Sequence, residues 1–328
     1  MNIIFNFSYF SLGALLSYII LKNGINVFHK YFLDNPNKRS LHKKPVPRAG
    51  GLAFIIPLFI YDLIFSYFKN FQENIPLSFL CIPLIFISFL DDLIQVSPKY
   101  RYLFQLSTSL LILRFGNIDL FFTSPILNFL ILIVLVIFIT AAINFTNFMD
   151  GSDGLVAGCM FIFFFMINIK LDLSMSVLIL LGSLATFIYW NWSPAKIFMG
   201  DVGSTFLGVY SVGSLLQFKN INEIIGLLLI LSPLFGDALF TICRRLFASQ
   251  NIFKAHRQHL YQRLYLGEFS KRQVAILYIS QCFIIGTIFI KLNFIYEIGT
   301  IFICLFIMLF IERKYAVSFE ETMQNNLI

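Results

Sequence analysis

Charge is scarce in this sequence: Asp, Glu, Lys and Arg together make up 12% of 328 residues, about half the share found in an ordinary soluble domain. That scarcity excludes an ordinary cytosolic enzyme. The five cysteines, Cys81, Cys159, Cys243, Cys282 and Cys304, all fall inside apolar runs. They show neither metal-type spacing nor a disulfide pattern and are read as packing residues. Lysine and arginine are absent before Lys22, and no small-residue cleavage pattern follows the first apolar run, so this run is expected to be a retained helix rather than a secretory signal. Also missing are a repeat of 20–50 residues, a low-complexity tract and a matched pair of broken helices, which leaves out solenoids and the usual symmetry of transporters.

What the chain has in abundance is hydrocarbon, at 58% hydrophobic and 17% aromatic residues. Apolar runs recur from end to end, and a helix of about twenty apolar residues crosses a hydrocarbon core of about 30 Å. Eleven candidate spans lie near 3–21, 52–68, 75–90, 102–115, 127–143, 154–169, 174–191, 204–218, 223–243, 273–290 and 293–311. Together they use most of the chain, so the expected fold is an all-α polytopic membrane protein with about 11 transmembrane helices in a single integral-membrane domain over 1–328. Cytoplasmic loops carry the excess of lysine and arginine. Placing the N-terminus on the periplasmic side and the C-terminus in the cytoplasm leaves only Lys69, Arg114, Lys170, Lys219 and Lys291 of the 24 basic residues outside. The net charge of +7 then belongs to one face, which suits an anionic lipid surface or a phosphorylated substrate. Nucleic acid is not expected as a partner, because no soluble module organises the basic residues.

The polar residues that could do chemistry gather in the cytoplasmic loops near 22–51, 91–101, 144–153, 192–203 and 244–272. The first ends Lys43-Lys44-Pro45-Val46-Pro47-Arg48-Ala49-Gly50-Gly51; prolines stiffen it, glycines allow close approach, and Lys44 and Arg48 make it either an anion clamp or a topology-setting basic loop. Asp91 and Asp92 sit side by side at the end of an apolar run. Neighbours on a helix point about 100° apart, so the two acids should have different jobs, one facing a phosphate and the other holding a cation or a helix end. Asn144, Asn147, Asp150 and Asp153 are spaced by three and cover about half a helix circumference, so they cannot all bind one ion. Their oxygen-only chemistry suits a hard cation such as magnesium, while a capping and turn device is the structural alternative. Asn191, Phe198 and Asp201 follow in the next loop, with Asp201 between two glycines just before a span. There a carboxylate serves either a metal or a helix N-terminus. His256, Arg257, His259 and Arg263 in the last loop resemble a phosphate-binding surface more than a zinc site. Asp237 lies within an apolar run and is read as structural, paired with a residue such as Arg244, seven positions later on the same helical face.

In order and along the whole chain, the PVPRAGG loop, Asp91-Asp92, NFTNFMDGSDGL, NWSPAKIFMGDVGS and the final histidine loop resemble the polyprenyl-phosphate N-acetylhexosamine-1-phosphate transferases, a group that includes the phospho-MurNAc-pentapeptide translocases. The resemblance implies Asn147 and Asp201 as ligands of Mg2+, with Mn2+ as an alternative. It implies catalytic roles for Asp91 and Asp92, with Asp150 beside them, and pyrophosphate contacts from Lys99 and Arg257. Asp153 and Phe198 look like part of a uridine pocket, and Lys44, Arg48, Asn144, Asn191, His256, His259 and Arg263 look like further substrate contacts. The last loop, AHRQHLYQRL, departs from the multi-histidine form and is more similar to the branch that starts O-antigen units on N-acetylated 6-deoxyhexosamines.

The implied reaction moves a sugar 1-phosphate from a UDP-N-acetylhexosamine to undecaprenyl phosphate and releases UMP. It would run at the cytoplasmic face of a bacterial inner membrane, with a homodimer as one assembly to expect. Transfer of GlcNAc-1-phosphate or phospho-MurNAc-pentapeptide is the nearest alternative. A cation-coupled transporter built on Asp237 and a catalytically dead scaffold are the others.

Overall fold

The computed structural model describes residues 2–36, 44–69, 75–116, 124–171, 174–252, 254, 256–292 and 294–325. Arg39, His42 and Lys43 of the first loop lie outside them. The chain is helical almost throughout, running α1 (Asn2–Tyr31), α2 (Leu52–Lys69), α3 (Leu77–Leu80), α4 (Ile82–Ile94), α5 (Pro98–Phe115), α6 (Pro125–Met149), α7 (Leu155–Lys170) and α8 (Met175–Asn191) in its first part. There follow α9 (Gly200–Leu215), α10 (Ile221–Leu229), α11 (Ser232–Phe247), α12 (Leu260–Leu266), α13 (Lys271–Lys291), α14 (Phe294–Tyr315) and α15 (Phe319–Asn325). A two-residue ribbon joins β1 (Leu33–Asp34) to β2 (Val46–Pro47) antiparallel, with Leu33 opposite Pro47. Proline starts α5 and α6 and stands in the first turn of α4 and α11, where its missing N–H would be unpaired in any case.

The centre of the bundle is α9. Every residue from Val202 to Leu215 is buried, so the helix has no lipid-facing stripe and is surrounded by protein on all sides. Its composition explains how neighbours come so close: Gly, Ser and Thr alternate with Val, Leu and Phe, and small residues let helix backbones approach. A Cβ at Gly208 would lie 2.9 Å from the Ala142 carbonyl oxygen on α6. Ser88 on α4 hydrogen-bonds Thr205 at 2.9 Å. The same device joins α1 to α8, where a Cβ at Gly182 would lie 1.9 Å from the Phe10 carbonyl oxygen and one at Gly13 would lie 2.2 Å from that of Ile179.

Helices or helix pairs occupy all eleven sequence-derived ranges, and the protein is an all-α membrane protein. By length and apolarity four qualify as spans: Phe7–Tyr31, Pro125–Met149, Lys271–Lys291 and Phe294–Tyr315. Ile221–Leu229 with Ser232–Phe247, bent by 75°, would make a fifth. Three more apolar helices, Leu52–Phe68, Leu155–Lys170 and Met175–Asn191, are shorter than the roughly twenty residues expected of a span.

The α1–α8 contact generates a test. Gly182→Val should push the two helices apart and cost about 1–3 kcal/mol, read as a lower unfolding midpoint in detergent. Gly236→Ala, where a Cβ meets nothing within 4 Å, should leave the midpoint unchanged.

Candidate active site

One end of the bundle brings the acidic motifs together, and the arrangement begins with backbone. The first loop is zipped to the segment before α9: the N–H of Phe198 donates to the Pro47 carbonyl at 2.8 Å, Gly50 to Phe198 at 2.9 Å and Gly51 to Met199 at 2.9 Å. Gly51 must be glycine for this, since its Cβ would fall 2.3 Å from the Gly203 Cα. Gly200 adopts a φ of 72°, and the space a Cβ would fill there is taken by the Asp92 carboxylate at 2.6 Å.

Asp92 is buried and accepts from two N–H groups at the start of α9, from Asp201 onto Oδ1 and from Val202 onto Oδ2, each at 3.0 Å. A carboxylate in that position satisfies two unpaired donors and meets the positive end of the helix dipole. Arg48 adds a charge 3.9 Å from Oδ1. Burial still pushes the Asp92 carboxyl up to about 6, against the pull of those donors and of Arg48. Asp91 is held differently: its Oδ1 accepts from the Val96 N–H at 2.6 Å and its Oδ2 from Arg101 at 2.8 Å. The same Arg101 nitrogen reaches Asp201 at 3.3 Å. The two adjacent acids thus do separate work, as their angle on the helix requires.

A cavity of about 180 Å3 opens beside them, lined by Arg48, Asp92, Asn147, Asp150, Asp201 and Lys271, with Asp34, Asn191, Phe198 and Gln262 completing its wall. Asn147 comes from the last turn of α6 and accepts from Ser204 of α9 at 3.3 Å. Asp150 caps the C-terminal end of α6, its N–H donating to the Asn147 carbonyl at 3.2 Å, while its carboxylate forms no hydrogen bond or ion pair among the described residues. Loss of water, followed by the repulsion of Asp201, Asp92 and Asp153, raises the Asp150 carboxyl well above the ordinary range. Asp201 is raised for the same reasons, burial first and then Asp92. Among the described residues no three His, Cys, Asp or Glu side chains already surround a metal position, because Asp92 is turned toward α9 and Arg101 bridges Asp91 and Asp201. The donor set still fits a hard divalent cation. It is made of oxygens only, and it concentrates more negative charge than water-poor surroundings tolerate.

A second cavity of about 550 Å3 adjoins the first and is lined by Lys44, Val46, Asp153, Ser193, Pro194, Ala195, Phe198, Tyr265, Ser270 and Lys271. Phe198 and Lys271 belong to both. Asp153 is buried; it accepts from the Ala195 N–H at 3.2 Å and pairs with Lys271 at 2.8 Å. Asn191 fastens the two loops, accepting from the Gly154 N–H at 2.9 Å and donating to the Ile197 carbonyl at 2.8 Å.

Several expected contacts are placed elsewhere. Lys99 is exposed on the first turn of α5 and lines neither cavity; the α5 cation that faces the acids is Arg101, two residues later. Asn144 exchanges hydrogen bonds with Gln105 on α5, at 2.9 and 3.3 Å, and ties two helices rather than facing a cavity. Arg263 is buried, donating to the carbonyls of Gln258 at 3.2 Å and Val317 at 3.0 Å and pairing with Glu312. It anchors the C-terminal segment. His256, Arg257 and His259 line neither cavity; the His256 and His259 rings lie 4.9 Å apart, and His259 is 3.7 Å from Asp237. Asp237 does not pair with Arg244, which holds Glu312 instead. Asp237 accepts from the N–H groups of Leu260 at 2.7 Å and Tyr261 at 3.0 Å and from the Tyr278 hydroxyl at 2.8 Å, so it holds the start of α12. Tyr261 carries that support onward, donating to the Phe148 carbonyl at 3.2 Å, at the end of α6 where Asn147 and Asp150 sit. Lys271, Gln262 and Tyr265 were not foreseen from sequence: Lys271 reads there as one more basic residue before a span, and the others carry no motif.

His256 generates a pH test. Burial, with His259 and Arg245 beside it, lowers its imidazole from the usual 6.5 to about 3, so folding binds its proton more weakly than the unfolded chain does. Its contribution to stability is complete above about pH 6.5 and is lost as pH falls toward 3. The unfolding midpoint should drop between pH 7 and pH 5, and His256→Gln should flatten that part of the profile.

Comparison with known proteins points to one family. The profile of Glycosyl transferase family 4 matches residues 75–219, which run from α3 to the end of α9. The chain is similar to a Bacillus subtilis protein named "Probable undecaprenyl-phosphate N-acetylglucosaminyl 1-phosphate transferase", 32% identical over 309 residues that cover 88% of this chain and 84% of the relative. It is also similar to the undecaprenyl-phosphate alpha-N-acetylglucosaminyl 1-phosphate transferases of Thermotoga maritima, at 28% identity covering 76% of this chain and 80% of the relative, and of Escherichia coli O157:H7, at 25% identity covering 87% and 83%. With the acidic cavity at one end of a membrane-embedded helical bundle, this likeness over most of both chains places the protein in glycosyl transferase family 4, among the polyprenyl-phosphate N-acetylhexosamine-1-phosphate transferases.

Proposed function

We infer that the protein transfers an N-acetylhexosamine 1-phosphate from a UDP-sugar to undecaprenyl phosphate, giving a polyprenyl-pyrophosphate sugar and UMP. The family membership makes it a multi-pass membrane phosphotransferase that moves a sugar 1-phosphate onto a polyprenyl phosphate. The donor nucleotide, eleven crossings, a cytoplasmic site, Mg2+ and a place at the first membrane step of an envelope polysaccharide such as O-antigen complete the reading. One observation carries it: Asn147, Asp150 and Asp201 share a small polar cavity that has Phe198 and Lys271 in common with a second one, which Tyr265 also lines. The first suits a cation and a diphosphate; the second suits a nucleoside. The lopsided charge of the loops supports the cytoplasmic face.

Both reactants are anionic, so the chain must bring a phosphate oxygen of the acceptor onto the sugar-bearing phosphorus of the donor. The bond from that phosphorus to the bridging oxygen breaks, and the oxygen leaves with UMP. Asn147 and Asp201 would hold Mg2+, which when bound screens the diphosphate charge. Asp92 keeps Asp201 at the cavity by fixing the start of α9, and Arg101 orients Asp91 and Asp201. Asp150 is the carboxylate left without a donor and is the group best placed to take a proton from the acceptor phosphate. A lipid phosphate is already an adequate nucleophile near neutral pH, which favours a single displacement.

Purified protein given labelled UDP-N-acetylhexosamines and undecaprenyl phosphate should form lipid-linked sugar and release UMP. Chelation should stop the reaction, and added Mg2+ should restore it. Asp201→Asn should lower kcat by on the order of 10^3 with little change in the unfolding midpoint; wild-type activity in this variant would overturn the metal assignment. Donor incubated without acceptor should leave no phosphosugar on Asp91 or Asp92. Trapping one there would replace the single displacement by a double one.

A further inference from the structure

Lys271 opens α13 and is the one cation among the described residues that lines both cavities. Its ammonium lies 2.8 Å from Asp153 Oδ1 and 5.8 Å from the centre of the Tyr265 ring, and the side chains of the ion pair are only 12% and 5% exposed. Asp153 is fixed in turn by the Ala195 N–H. The ammonium is therefore held at the boundary between a cavity shaped for charge and one with aromatic walls. An ammonium has three donors, and among the described residues Asp153 is the one hydrogen-bond partner of this one. α13 itself is stiffened just there: Ser270 and Gln273 cap its first turn reciprocally, and Arg272 donates to the Ser193 carbonyl at 2.6 Å.

Resting on the reading of a nucleoside diphosphate-sugar as donor, we propose that Lys271 is a donor-binding residue that contacts the diphosphate where it passes from the nucleoside cavity to the carboxylate cavity. Asp153 positions and orients the ammonium before the donor arrives. A ligand spanning the two cavities must cross the place Lys271 occupies. A diphosphate is the part of such a donor that an ammonium there would recognise. Uridine alone, seated in the second cavity, would not need it.

The test measures binding of UDP and of uridine to the full-length protein in detergent. Lys271→Gln should weaken UDP by about 10- to 100-fold, the loss expected for a charge-assisted contact, and leave uridine within about twofold. Lys271→Arg, which keeps the charge, should restore most of the UDP affinity. In turnover, Lys271→Gln should raise the donor KM and leave the acceptor KM unchanged. Should Lys271→Gln unfold because Asp153 is left unpaired, Asp153→Asn with Lys271→Gln removes both charges, and the same ratio of UDP to uridine affinity is read from that pair. An equal loss for UDP and uridine makes the ion pair a structural strut and overturns the proposal while the donor reading stands. Wild-type protein that binds no UDP overturns both.

Discussion

Two backbone N–H groups at the start of α9 have a single carboxylate to satisfy them, and the geometry of the acidic end follows from that. Asp92 can reach Asp201 and Val202 only because Gly200 turns with a positive φ and offers no side chain to block it. Capping of this kind is worth about 0.5–2 kcal/mol to a helix. Its larger effect here is positional: the residue whose N–H it receives, Asp201, is the one whose side chain faces the cavity. One carboxylate is spent on structure so that the next can be spent on chemistry.

A second carboxylate does the equivalent job from below. Asp237 collects two N–H groups of α12 and the hydroxyl of Tyr278. The Tyr261 hydroxyl then presses against the turn after α6, where a Cβ on Gly151 would meet it at 2.2 Å. Asn147 and Asp150 are thus braced from the last loop, while Asp201 is braced from α4. The site is an agreement between segments far apart in sequence, and such agreement is what preorganises charge for a reaction between two anions.

Much of this was legible in the sequence. Apolar runs located the helices, and the angle between Asp91 and Asp92 foretold a division of labour. Asp150 does cap α6, the structural alternative that the motif left open. What could not be read was pairing at a distance. Seven residues along a helix made Arg244 look like the partner of Asp237, whereas the partners came from α12 and α13. Lys99 and Arg101 share one turn, and only the packing of α5 on α4 decides which of them faces the acids. Arg263 and Asn144 carry the same polar atoms as binding residues, but those atoms are used up in holding the C-terminal segment and α5. A motif names the residue type a site needs; it does not say whether the fold has already consumed its hydrogen bonds.

The burial of α9 on every side has a mechanical consequence. Bilayers of different thickness are accommodated by tilt and local adjustment in helices that touch lipid. Here those are peripheral elements such as α1 and α14, whose outward faces carry exposed Leu, Ile and Phe. The helix that presents Asp201 has no such face and is gripped by protein along its whole length. Membrane strain meets that outer ring first, so the helix that presents Asp201 is a shaft insulated from the medium around the bundle.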